Sequence, residues 1–225
     1  MELKNLHLQR VNAIVSGEEP LRKRDGGILV LHLFPESSAF SRKLLDGRVL
    51  KEYGTSIRPL GGRGGYTRFN VDGFLHHNGE TEINAYSQLF RDGRLESVTS
   101  GVGYRINHVE DSRVAMRCSL LEKGVFDLVG EYLSFCKAIE TPLPIWLFSA
   151  LVECNGFGII SHQMFQEFSV QTVDRSPAII PEITITSFDL DRKMLRPWCD
   201  TLWQTSGMEK SLNFDQDGNW KEPRQ

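Results

Sequence analysis

A chain of 225 residues, 40% of them hydrophobic and 24% charged, is long enough to bury one sizeable core. A net charge of −3 excludes a surface built wholly for nucleic acid, which needs concentrated Lys and Arg, and leaves room for one basic patch. No apolar run reaches the roughly 18 residues needed to cross a bilayer, and the opening MELKNLHLQR lacks the cationic start and apolar block of a signal peptide. A cytoplasmic protein without a membrane partner is the expectation.

Residues 3–15 read as a helix, with Leu3, Leu6, Val11, Ile14 and Val15 near a 3.6-residue period and Gly17 where a C-cap belongs. A polar connector carrying Arg22, Lys23 and Arg24 follows. The run GILVLHLF, between Gly27 and Pro35, has the pattern of a strand buried on both faces. SSAFSRKLLDG opens on serines and closes on Gly47, which predicts a short helix.

Residues 66–75 alternate weakly as one strand, and 83–90 and 95–99 read as two more. Asp92-Gly93 is a strong hairpin signal between the last two, and Asn78-Gly79 is a second turn pair, so 66–99 is expected to be a three-stranded meander. The period then changes. Val125, Phe126, Val129, Tyr132, Leu133, Cys136 and Ile139 form one helical stripe over 119–139, ended by TPLP. IWLFSALV, 145–152, is a second candidate for a central strand, and Asn155-Gly156 predicts a hairpin into 157–160. A strand is expected over 179–188. Asp189 is the expected cap of a last helix in which Pro197 forces a kink or a late start.

These elements predict an α+β fold: a single mixed, mostly antiparallel sheet of about seven strands, with three or four helices on one face. Residues 1–207 are expected to form one domain, and the polar, aperiodic 208–225 a flexible C-terminal tail.

The stretch RPLGGRGGYTRFNVDGFLHHNGE, residues 58–80, holds six glycines, three arginines and two adjacent histidines. GGRGG has the makings of a backbone nest for an anion, with Arg58, Gly62, Arg63, Gly64 and Arg68 as candidate contacts to a phosphate or nucleic acid. The dinucleotide fingerprint fails, because position 67 is threonine rather than glycine and a strand follows, and no Gly-Lys-Ser/Thr completes a phosphate loop. The plain alternative is a bulged loop ahead of an edge strand. Asp72, His76 and Glu80 are an alternative polar site. Adjacent strand residues point to opposite faces, so His76 and His77 are poorly placed to share a metal. His32, inside the apolar run, reads as a core histidine. Cys118, Cys136, Cys154 and Cys199 have no zinc-like spacing and read as reduced, buried thiols. No metal and no cofactor is expected.

The pieces QRVNAIVSGEEPL, ILVLHLFP, RPLGGRGGYTRFNVDGFL, YSQLFRDGRLESV, IWLFSALVECNGFGI, IPEITI and LRPWCDTLWQTSG, in that order over most of residues 9–207, resemble the C-terminal region of bacterial proteins that begin with a Schlafen-like, AlbA-type DNA-binding domain. These residues contain no counterpart of that N-terminal domain. The resemblance therefore implies either a C-terminal part or a free-standing relative whose DNA-associated partner is encoded separately. It implies no catalytic residues.

Two readings stand. In the first, the chain is a non-catalytic binding and interaction module in DNA-linked regulation or defence. Its partner is then a protein or an attached DNA-associated domain, with nucleic acid contacted through the local basic loop and Trp146, Trp198 or Trp203 as candidates for an exposed patch. In the second, the chain is an enzyme on nucleotides or nucleic acid, using the glycine/arginine loop with Asp72, His76 and Glu80.

Overall fold

The structure, a computed structural model, describes residues 2–18, 25–41, 43–61, 65–106, 113–160 and 171–221. Its centre is the apolar run: β1 (Ile28–Pro35), every residue buried, lies between β5 (Leu95–Ser100) and β8 (Ile145–Val152), antiparallel to both. A strand with neighbours on both sides and cover on both faces needs continuous apolar character, and the two runs that have it, β1 and β8, are adjacent central strands. The full order is β10-β8-β1-β5-β4-β3-β2, with β2 (Tyr66–Phe69), β3 (Gly73–His77), β4 (Ala85–Phe90) and β10 (Ala178–Ile185). Every pairing in this seven-stranded sheet is antiparallel.

The fold is α+β, with four α-helices and a second, three-stranded sheet among the described residues. That small sheet, β6 (Gly103–Ile106), β7 (Arg113–Arg117) and β9 (Gly158–Ile160), holds the parallel pairing, between β7 and β9. The turn at Asn155-Gly156 forms, yet β9 leaves β8 for the small sheet, so the expected hairpin there does not.

The meander has four strands rather than three. What reads as one strand over 66–75 is folded at Asn70, whose Oδ1 accepts the backbone N–H groups of Asp72 and Gly73 and turns β2 back onto β3. Weak alternation with Asn70, Asp72 and Gly73 in its middle was a turn signal. The Asp92-Gly93 hairpin joins β4 to β5 as expected, with Gly93 at φ 86. Gly47 opens a helix instead of closing one: α2 (Gly47–Gly54) is capped by Asp46, which accepts the N–H of Arg48.

Helices cover both faces of the sheet. On one, Leu29, Leu31 and Leu33 meet α3 (Cys118–Ala138) and α4 (Arg196–Gln204) in the main core. On the other, Ile28 and Val30 meet Val11 and Ile14 of α1 (Glu2–Ser16). The strand period of two sends alternate residues to opposite layers, and α1 supplies the cover that an all-buried β1 requires. The last helix starts late, as Pro197 demands. A 3-10 turn capped by Asp191, not Asp189, precedes it. Trp198 and Trp203 are core residues, donating to Ser149 and Glu122, and form no surface patch; Trp146 is half-buried.

Residues 208–221 are not loose. Glu122, fully buried on α3, accepts hydrogen bonds from Trp203 Nε1, Ser211 Oγ, Asn213 Nδ2 and Trp220 Nε1. The polar composition that suggests a tail is the donor set for one buried carboxylate.

A candidate anion-binding cleft

Helix α2 ends at Gly54, whose missing side chain lets the Phe74 ring of β3 lie against its backbone. The chain leaving α2 is thereby laid across the sheet. It carries Thr55 and Arg58 over the same face on which the Thr67–His76 register pair of β2 and β3 stands. These four residues and Gly65 line a cleft of about 360 Å³.

His76 is the polar centre of the cleft, 4% exposed. Its Nε2 faces Gly65, where a Cβ would come within 2.5 Å, and its Nδ1 is buried with no hydrogen-bond partner among the described residues. Burial lowers its pKa. The carbonyl of Gly54 opposes that shift, and the Arg58 charge reinforces it. The ring is therefore a neutral imidazole, one donor and one acceptor, beside a guanidinium. Arg58 is exposed, and its backbone N–H is held by Glu131 Oε2 at 3.1 Å. Burial raises the Glu131 pKa, with Arg58 opposing and Asp127 adding to the rise. Thr55 donates its hydroxyl to the carbonyl of Lys51, which leaves its lone pairs for a donor.

The structure brings together Arg58 and His76 and separates the other candidates. Arg68 is opposite Leu75 and belongs to the face covered by α1, away from the cleft. Gly62, Arg63 and Gly64 lie outside the described residues; Gly61 and Gly65 flank them. Asp72 and Glu80 do not converge on His76. Both are exposed, and they sit beyond opposite ends of the five-residue β3, a span of about 17 Å at roughly 3.4 Å per residue. His77 points to the opposite face from His76, stacking on Tyr66 with its Nδ1 3.0 Å from the Gly79 carbonyl. Among the described residues no group of three or more His, Cys, Asp and Glu is gathered as a metal site.

A second polar constellation was invisible in the linear sequence. His7 and Arg10 of α1 reach His32 of β1 and Glu96 of β5 across the sheet. His7 Nδ1 lies 2.7 Å from His32 Nδ1, and His32 Nε2 lies 2.8 Å from Glu96 Oε2. Glu96 also accepts two hydrogen bonds from Arg10 and one from Tyr86. Burial alone would raise the Glu96 pKa, but the Arg10 and His32 hydrogen bonds and charges carry it down to about 2. Burial, His32 and Lys4 hold His7 down at about 3. His7, His32 and Glu96 are 1%, 0% and 0% exposed, so this network fastens α1 to the sheet and meets no solute. One signal was available. His7 and Arg10 share the helical stripe of Val11 and Ile14, and Glu96 shares the strand face of Val98.

The fold and site define an α+β protein whose antiparallel sheet presents a polar cleft at the end of α2. Comparisons of the chain with protein-family models, with curated proteins and with solved structures find no match.

Proposed function

We propose that the chain is a binding module that grips an anionic group, the phosphate of a nucleic acid or nucleotide, in the cleft beside its glycine loop. The observation that carries this is the pairing of the exposed Arg58 with the buried, neutral His76 in the lining of one cavity of ligand size, with Thr67 and Gly65 beside them. A guanidinium supplies the charge, and the imidazole N–H and the Thr67 hydroxyl are donors of the kind that phosphate oxygens accept from. The resemblance to the C-terminal region of Schlafen-like, AlbA-type proteins supports a setting in DNA-linked regulation or defence, next to a DNA-associated protein or domain.

The test is fluorescence anisotropy with a short single-stranded oligonucleotide at two salt concentrations, with inorganic phosphate as competitor. A charge-assisted hydrogen bond contributes about 1.5–3 kcal/mol, so Arg58→Ala is expected to weaken binding by at least about tenfold and to flatten the salt dependence. Equal binding by Arg58→Ala, or no competition by phosphate, overturns the reading.

A further inference from the structure

The N-terminal turn of α1, the start of β8 and the turn that follows β1 surround a cavity of about 190 Å³, which shares no lining residue with the Arg58–His76 cleft. Its floor is aromatic. Trp146 and Phe148 stand two positions apart on β8 and so share the face that α1 covers, with ring centroids 6.4 Å apart and planes 21° from parallel. His7 stacks on Phe148 at 5.4 Å and fixes that ring, while Trp146 stays half-buried. Phe40 follows the 3-10 turn Glu36–Ala39 and lines the same cavity with 81% of its surface exposed. A phenylalanine left this open beside a cavity is apolar surface without cover.

The charge in the wall is negative. Glu2 of α1, Glu36 of the 3-10 turn and Glu182 of β10 bring carboxylates from three elements to the one cavity. Lys4 is the only cation among the described lining residues. It is committed to Glu182, with Nζ 3.0 and 3.2 Å from the two carboxylate oxygens. The Glu2 and Glu36 side chains make no hydrogen bond or ion pair among the described residues. Nor are the carboxylates gathered as a metal site among those residues. A compact ammonium is strongly hydrated and seeks direct carboxylate contact, as Lys4 does. Aromatic faces instead attract a cation whose charge is spread over methyl groups, which is the use that quaternary ammonium ligands make of them.

We infer that the cavity holds a quaternary ammonium head group, its methyl groups against Trp146, Phe148 and Phe40 and its charge offset by Glu2 and Glu36. The volume lies below the roughly 300–1,000 Å³ of sites that enclose a drug-sized ligand, and it suits one head group better than a whole nucleotide. The same head group is carried by free solutes and by trimethylated lysine side chains, and this wall has the chemistry for both.

NMR of the indole N–H groups in the whole chain, titrated with choline and with 3,3-dimethylbutan-1-ol, tests this. The alcohol has the shape of choline without its charge. Trp198 and Trp203, hydrogen-bonded in the core, serve as internal controls. A saturable shift of the Trp146 Nε1–H is expected with choline, with several-fold weaker binding of the alcohol and no displacement of choline by an equal concentration of ammonium chloride. Phe40 and Glu36 are exposed, so their replacement leaves the core intact. Phe40→Ala should weaken both probes several-fold. Glu2→Gln combined with Glu36→Gln should bring choline down to the level of the alcohol. Arg58→Ala should change neither, which separates this site from the anion cleft. A peptide bearing trimethyllysine decides the source. Tighter binding than choline assigns the head group to a modified protein side chain, and weaker binding assigns it to a free solute. No saturable Trp146 shift with either choline or the peptide, equal affinity for choline and the alcohol, or displacement by ammonium overturns the proposal.

Discussion

Replacing His7 by glutamine is expected to remove a large part of the acid sensitivity of folding. His7 and His32 meet through their Nδ1 atoms at 2.7 Å, and that contact holds one proton. With Glu96 receiving the His32 Nε2 side, a second proton on the pair would either set two N–H groups face to face or place an N–H on His7 Nε2, which has no buried acceptor. Phe148 stacks on the other side of the His7 ring at 5.4 Å and offers no relief. Burial and the His32 charge therefore take the His7 pKa from 6.5 to about 3.

The folded pKa lies below the unfolded one. The unfolded chain thus binds more protons between pH 6.5 and 3, and stability falls as pH falls through that window. At pH 5 the loss is the 1.5 units below 6.5 multiplied by about 1.4 kcal/mol per unit, or about 2 kcal/mol. Glu96 does not confuse the measurement. Its folded pKa of about 2 and ordinary value of 4.5 confine its contribution to more acid solution, where stability is lost as pH falls from 4.5. His76 is also held below its usual value and adds a loss of the same sign as pH falls, so the comparison must be between variants and not between pH values alone. Urea unfolding at pH 7 and pH 5 should show the wild type losing about 2 kcal/mol more than His7→Gln, whose amide can still hydrogen-bond His32. Equal losses in the two proteins would refute the account of a sealed, singly protonated histidine pair.

The remaining expectations concern packing and chemistry. Glu122→Ala leaves Trp203 Nε1, Ser211 Oγ, Asn213 Nδ2 and Trp220 Nε1 facing an empty acceptor position. Each buried donor left unpaired costs about 1–3 kcal/mol, so the variant should lose at least about 3 kcal/mol in urea unfolding and expose residues 208–221 to limited proteolysis. All four thiols are buried, and burial raises the pKa of each, to about 12 for Cys136 and Cys154, so Ellman's reagent should react with them only as fast as the chain unfolds.

The parts of the fold legible in the sequence are those specified by local pattern. β1 and β8 announce themselves as unbroken apolar runs, α3 as a broad stripe, and the β4–β5 hairpin as Asp92-Gly93. Where the structure departs from the local pattern one cause recurs: a local signal whose outcome depends on a partner outside it. Gly47 is compatible with closing a helix or opening one, and Asp46 decides it by accepting the Arg48 N–H. Asn155-Gly156 makes its turn, but β9 finds β7 instead of β8 because the alternative edge lies in the small sheet. The 208–221 segment has no apolar period, because what orders it is a single carboxylate more than eighty residues away along the chain.

Strand geometry also decides which residues of the glycine-rich stretch meet in space. A strand's side-chain period of two decides membership of a site more strictly than proximity in sequence. Arg68 and Thr67 are neighbours in the chain, yet the register of β2 on β3 sends Thr67 to His76 and Arg68 to the opposite layer. Asp72 and Glu80 are both near His76 in sequence, but β3 holds them apart at its two ends. Arg58 enters only because Gly54 and Phe74 fit together and steer the chain leaving α2 over β3. A candidate site read from a β-rich sequence therefore divides by parity. Residues an even number of positions from His76 along β3 and their cross-strand partners share its face. The group that completes the cleft comes from the chain that crosses above it, through packing that no linear motif encodes.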